Sequence, residues 1–293
     1  MPDEGAQRIL DAYQASLPVR LIATKREEFA ACRLDESIAE VLARNVGNQF
    51  DHLPVRHAGS GAILGVLCTV DLAEGPGHSL VSDCYQPLHE ALLIGAEASI
   101  LDFAREARQP PFRFIVDGQH ISGLVSLSDL QQLPVRAALF AVITQLEMST
   151  AEVIAAAFAD GSWRRHLSVG RQQKLDRQWA SAREEGNQMA PILYTQFCDK
   201  ATLIRKLREP LGFGNLTAEE VEQDLSQLEW LRNQLAHGNE FAASRAQATA
   251  VCSLIHTMDT WLQRLADTQA TIQDTISRGG LAARATERTM LDP

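Results

Sequence analysis

Between residues 20 and 132 the apolar positions change period several times. In DESIAEVLARNV (35–46), Ile38, Val41, Leu42 and Val46 fall at helical spacing, and Asp35 is placed to cap the helix. HLPVRH (52–57) and AILGVLCTVDL (62–72) are short apolar runs bounded by turn residues, which predicts strands. The order then recurs. HEALLIG (89–95) predicts a strand and ASILDFAREARQ (98–109) a helix; FRFIVDGQHISGLVSLSDL (112–130) predicts two strands turned at Asp117-Gly118. From about residue 133 the strand signals stop. Helices are predicted over roughly 133–158, 170–185, 191–208, 217–238 and 244–277, with Gly161, Gly186, Pro191, Pro210, Gly212, Gly214 and Gly238 between them. The last repeats Val251, Leu254, Ile255, Met258, Trp261, Leu262 and Leu265 at the helical period.

The expected fold class is therefore α+β, with N-terminal tandem repeats followed by an all-α helical bundle. The expected divisions are an N-terminal helix (1–19), a repeated pair (20–135), a connecting helix (136–160), a helical domain (161–278) and a flexible tail (279–293).

Composition narrows the picture. A 293-residue chain with 45% hydrophobic residues can bury two cores. No unbroken apolar run reaches the roughly 18 residues of a membrane span. The start, MPDEGAQRILDAYQ, is acidic and lacks the apolar stretch of a signal peptide. Cys32, Cys68, Cys84, Cys198 and Cys252 are odd in number and form no CxxC, which is the usage expected of reduced thiols in a cytoplasmic protein. The net charge of −10 argues against broad, nonspecific capture of nucleic acid. Residues 1–140 hold 11 Lys/Arg against 18 Asp/Glu, and residues 141–293 hold 16 against 19. The second half has room for a local basic patch, for which Lys200, Arg205, Lys206 and Arg208 are candidates.

GVLCTVDL (65–72) and GLVSLSDL (123–130) share Gly, two apolar residues, a small residue, two spacers and Asp-Leu, which marks an internal duplication. With HLPV and RFIVDG before them, these segments resemble a tandem pair of CBS domains, the β-α-β-β-α sensor modules, over about residues 20–135. The resemblance implies an adenine nucleotide, AMP or ATP, in the cleft between copies. Ser126 and Asp129 would form one site, and Asp71 would help form the other. An acid at a helix start can accept ribose hydroxyls, and the helix N-terminus favours a phosphate. The first copy departs from the pattern: Cys68 stands where Ser or Thr is expected, and Thr69, next door, faces the other side of a strand. The alternative is that Asp71 and Asp129 only cap helices and the pair is an empty dimerisation scaffold.

LRNQLAHG, which holds Arg232, Asn233 and His237, resembles the Arg-Asn-x-x-x-His motif of HEPN domains, all-helical domains of which many are metal-independent ribonucleases. Thr217 with Glu220 forms a capping box ahead of it. Arg232 falls on the stripe of Val221, Leu225, Leu228 and Leu235, where a guanidinium needs partners. Arg232 and His237 are five apart, hence about 140° apart on a regular helix. Either Gly238 ends the helix and the chain turns, or two copies of the motif meet across a homodimer, as the resemblance implies. His237 would move the proton and Arg232 would stabilise phosphate charge, while Asn233 orients either group. The substrate would be RNA, whose 2′-OH is the nucleophile. No HExxH or carboxylate cluster calls for a metal. In the plainer reading Arg232 pairs with Glu229 or Asp199 and His237 caps carbonyls. Trp163 and Trp179 are expected in the core.

Together the halves read as a nucleotide sensor, a connecting helix that transmits the signal, and a ribonuclease effector suited to stress response or phage defence. The rival is a non-enzymatic nucleotide-binding regulator whose helical half mediates dimerisation. A third reading is a toxin held by a separate inhibitor protein. No membrane partner is expected.

Overall fold

The computed structural model describes the backbone of residue 9 and of residues 12–48, 50–72 and 79–289; the side chains of 48, 71 and 278–289 fall outside the description. The chain divides into two compact units, Gln14–Val135 with Ala242–Cys252, and Arg136–Phe241 with the chain from Ser253 onward. Most of the helix expected over 1–19 lies outside the described residues; residues 12–15 are helical.

The first unit contains β1 (Thr24–Lys25), β2 (Cys32–Arg33), α1 (Ile38–Arg44), β3 (His52–Arg56), β4 (Ile63–Cys68), α2 (Val81–Cys84), β5 (Gln86–Pro87), β6 (Leu93–Gly95), α3 (Ile100–Glu106), β7 (Phe112–Asp117) and β8 (His120–Ser126). They form two four-stranded sheets, ordered β2-β3-β4-β5 and β6-β7-β8-β1. In each, the first pair is parallel and the others antiparallel. Each sheet is thus completed by the strand that precedes the other copy.

The duplication reaches the hydrogen bonds. Ile38 N–H donates to Ser79 O and Ile100 N–H to Leu17 O; Val81 N–H donates to Glu36 O and Val19 N–H to Ala98 O. Each antiparallel hairpin has a register shift at the same place, after Val55 in one copy and Ile115 in the other. The shared glycine also has a reason. Gly65 pairs with Pro87 and Gly123 with Lys25. A Cβ on Gly65 would stand 2.0 Å from Gln86 O, and one on Gly123 would stand 3.0 Å from Thr24 O. Only a residue without a side chain lets the crossing strand come so near.

The helix caps correct one expectation. Asp35 does not cap α1. Ser37 does, in a capping box with Glu40, while Asp35 takes Arg33. Ser99 and Asp102 form the same box on α3. The helix begins at Ile38, so the capping position is Ser37 and Asp35 lies two residues outside it, and the acid three residues on from Ser37 returns the bond. Cys32, Ile38, Val41, Leu53, Val55, Leu67 and Val81 make the core of the first copy. Ile63, Val66, Leu92, Phe112, Phe114 and Leu124 join the two sheets, with the His52 and Phe112 rings 4.4 Å apart.

The second unit is helical, built from α4 (Leu133–Ala157), α5 (Val169–Glu184), α6 (Phe197–Leu207), α7 (Ala218–Ala236) and α8 (Arg245–Thr289). The helix α8 runs past residue 278, where sequence placed the start of a tail. By length and composition α4 is the one described helix apolar enough to cross a membrane, which the search for an unbroken apolar run overlooked. Its Ala138, Leu139, Val142, Ile143 and Leu146 are buried in the fold, as in a core helix. Trp261 is buried, donates its indole N–H to Asp224 (2.9 Å) and meets Phe213 edge-on at 5.4 Å. Lys200 is also buried, bonded to Glu147 (3.1 Å) and to the carbonyl of Thr195 (2.6 Å).

Candidate functional site

The strand β8 ends in a tight turn that holds Ser126 and Asp129. The Asp129 carboxylate accepts from Ser126 N–H at 2.8 Å and from its hydroxyl at 3.2 Å; its other oxygen accepts from the Gln132 amide at 2.9 Å. Gln132 also donates to Ile22 O at 2.8 Å, tying the turn to the start of the unit. A carboxylate offers about four acceptor sites. Three are filled, so one ribose hydroxyl can be accepted directly and a second only by displacing a present donor. Burial pushes the Asp129 carboxyl above its ordinary range, while bonds from Ser126 and Gln132 pull it back in part. Ser126 Oγ is also 2.7 Å from Ser128 Oγ, so that pair can rotate a donor outward.

The first copy differs. Thr69 is buried and its hydroxyl donates to Phe50 O at 2.8 Å, a carbonyl that Asn45 also holds. Its counterpart in the second copy is Leu127, also buried. The position faces the core in both copies, which removes Thr69 from the candidate ligand set. The side chain of Asp71 lies outside the described residues.

No protein-family model matches the chain, and no curated protein matches it. Solved structures do resemble it. The CBS domain of a bacterial CNNM/CorC family Mg2+ transporter in complex with ATP is 22% identical, covers 44% of this chain and 94% of its own, and gives a TM-score of 0.35. CBSX2 in complex with AMP is 21% identical over 42% and 96%, with a TM-score of 0.34. A hemolysin-like CBS-domain protein of Oenococcus oeni is 17% identical over 42% and 93%, with a TM-score of 0.35. The N-terminal unit is similar in its tandem arrangement to these CBS-domain structures. The basis of that similarity is the pair of β-α-β-β-α copies that exchange their edge strands.

In the helical unit the buried face of α7 is Val221, Leu225, Leu228, Leu231 and Leu235. Leu231 continues the stripe, and Arg232 lies beside it, half exposed; the expectation of a buried Arg232 is corrected. Its Nη1 donates to Asn233 Oδ1 at 3.4 Å, while Asn233 and His237 are exposed. The acids expected to pair with Arg232 are taken elsewhere: Glu229 by Arg205 at 2.8 Å and Asp199 by Arg171 at 2.6 Å. His237 is the C-cap, and Gly238, at φ 71°, ends the helix. Asn239 N–H then returns to Gln234 O at 3.1 Å, the six-to-one bond of a Schellman turn. The structure bonds Arg232 to Asn233 and gives His237 no bond to either.

The cation that does bind the last carbonyls of α7 is Arg136, which sequence reading missed. It donates to Gln234 O at 2.9 Å, Leu235 O at 3.1 Å and Asn239 O, and lies over the Phe241 ring at 5.0 Å. Opposite charge at a helix C-terminus explains the placement. No local signal announces it, because the two partners are about a hundred residues apart in sequence. The basic patch named from sequence is also corrected: Lys200 is buried, Arg205 sits between Glu222 and Glu229, Lys206 binds His166 O and Arg208 binds Leu216 O. Among the described residues no group of three or more His, Cys, Asp or Glu side chains stands together.

Proposed function

We propose that the protein is a nucleotide-responsive regulator whose tandem CBS unit receives AMP or ATP at the turn holding Ser126 and Asp129. The observation that carries this reading is Asp129 itself. Its carboxyl is held in a desolvated turn at a cost to its charge, and it keeps one acceptor site open. The resemblance to solved CBS structures complexed with ATP and AMP supports this choice of ligand class. Asp71 and Cys68 would form a weaker second site. Calorimetry with AMP and ATP tests it: binding below millimolar concentration supports the reading, and no heat from either nucleotide at millimolar levels overturns it.

The effector in this reading is the helical unit, acting as a metal-independent endoribonuclease through Arg232, Asn233 and His237. What favours it is that all three are solvent accessible and Arg232 has no acidic partner among the described residues. A cation left unpaired at a surface is available to a phosphate. His237 exchanges the proton of the 2′-OH and Arg232 meets the charge that builds on phosphorus. A homodimer would bring a partner's His237 toward Arg232, since one straight helix does not. His237→Ala should slow cleavage about 10²–10⁴-fold. Cleavage should survive EDTA, spare DNA and leave a 2′,3′-cyclic phosphate.

The second reading is a non-enzymatic regulator whose helical half mediates dimerisation. The clamp of Arg136 on residues 234–239 favours it, because it gives the motif's end a structural duty. No RNA cleavage in any nucleotide state would select this reading.

A further inference from the structure

The chain carries −10, yet one stretch of the helical unit has the opposite sign. The single-turn helix Ser162–His166 and α5 hold Arg164, Arg165, Arg171, Lys174, Arg177 and Arg183 against Asp176 and Glu184. That is +4 within a chain whose remainder sums to −14. The helix α5 is sixteen residues long and buries only Leu175. A helix polar on nearly every side, with little apolar contact and few opposite-charge pairs along it, takes its place from something other than core packing.

The cations differ in what holds them. Arg171 is bonded to Asp199 and Gln196, and Arg164 stands 3.5 Å from Asp176. Arg165, Lys174, Arg177 and Arg183 have no ion pair among the described residues; Asp160 is the acid that feels Arg165. Among the described residues the hydrogen bonds of Arg165 and Arg177 go to His166 and to the Gln173 carbonyl, at 3.3 Å each. Trp179, half exposed and not in the core as sequence reading expected, sits between two guanidiniums, Arg164 at 4.9 Å and Arg183 at 5.2 Å. Both guanidiniums lie within cation–π range of the ring. Gln173 and Gln178, both exposed, supply further donors along the helix.

We propose that the 162–184 segment is a docking surface for the phosphate backbone of single-stranded RNA. This deepens the ribonuclease reading by adding an RNA-holding surface outside the 232–237 motif. Arginines with amide donors fit phosphates, and the guanidinium planes over Trp179 offer a surface on which an unstacked base of a single strand can lie. A lipid surface is a poorer fit, because α5 has no apolar face to insert.

The test is fluorescence anisotropy of the full chain with a labelled 2′-O-methyl oligouridine, which cannot be cut through its 2′ oxygen. Binding is therefore read apart from cleavage, and a failed cleavage assay leaves this result intact. Four free cations predict a slope of log K against log salt of about −3, or roughly 50-fold weaker binding between about 50 and 200 mM salt. Arg165→Glu with Lys174→Glu and Arg177→Glu should reduce the slope to about −1. If that variant misfolds, Gln at the same three positions keeps helix propensity and should weaken binding at least tenfold at low salt. Wild type that does not bind the oligonucleotide overturns the proposal, as does a triple variant that binds with an unchanged slope. Binding to phosphatidylserine vesicles without binding to RNA overturns it too.

Discussion

In the first CBS copy β4 ends in Leu67-Cys68 and Thr69; in the second, β8 ends in Val125-Ser126 and Leu127. The backbone around the two is nearly the same, with equal sheet order, equal capping boxes and equal bridging bonds from the other copy. What differs is polarity at two adjacent positions. The second copy puts its hydroxyl on the open side and its apolar residue in the core. The first puts a thiol outside and turns its hydroxyl inward to the Phe50 carbonyl. A duplicated scaffold thus preserves geometry while a one-residue exchange of polarity moves the hydroxyl from the turn beside Asp129 to the support of a loop carbonyl.

The hardest strain on that comparison is at the shared glycines. Gly65→Ala should destabilise by about 3 kcal/mol or more, since its Cβ would meet backbone at 2.0 Å and neither strand can yield alone. Gly123→Ala meets the crossing strand at 3.0 Å and should cost about 1–2 kcal/mol. Urea melts rank the two, and equal losses would mean the copies are more alike than their strands show. Next comes ligand binding. Asp129→Ala should weaken AMP or ATP by about 1–3 kcal/mol, and Asp71→Ala by less, read by calorimetry. The reverse order would place the main site in the first copy.

Smaller effects fall on the caps. Ser37→Ala and Ser99→Ala should each cost about 1 kcal/mol in thermal or urea melts, with Ser99 the larger because it is buried. The smallest effect is in pH. Because the folded carboxyl of Asp129 lies above the ordinary aspartate value, its contribution to stability is present below pH 3.8 and is lost as pH rises through the raised value. Nucleotide binding needs the carboxylate and should run the other way, strengthening as pH rises through that value. An Asp129→Asn variant whose binding and stability keep the wild-type pH profiles would exclude Asp129 as the titrating group.

Much of this was legible in sequence because it is local. Alternation, helical spacing and the Asp117-Gly118 turn each depend on a few neighbouring residues, and the structure carries the hairpin with Gly118 at φ 60°. The duplicated Gly-to-Asp motif announced the tandem pair. The failures were of two kinds. Asp35 lost the cap to Ser37 because two acceptors competed two residues apart, and only the paired Glu40 decides between them. Arg232, the acids assigned to it and the basic patch were misread because pairing partners come from distant chain: Glu229 belongs to Arg205, Asp199 to Arg171 and Lys200 to Glu147. Leu231 was overlooked for a different reason. A stripe on a 3.6-residue helix widens with length, so Leu231 and Arg232 both fit it by spacing, and burial selects the leucine.

The exchange of edge strands bears on how the N-terminal unit comes apart. β5 closes the sheet of the copy before it, and β1 closes the sheet of the copy after it. Cutting the chain between the copies would leave each half with an open sheet edge and with Gly65 or Gly123 facing nothing. A state in which one copy stands and the other is unfolded would carry that open edge, so the pair should melt as a single cooperative block, and a ligand that tightens the second copy should raise the cost of opening the first.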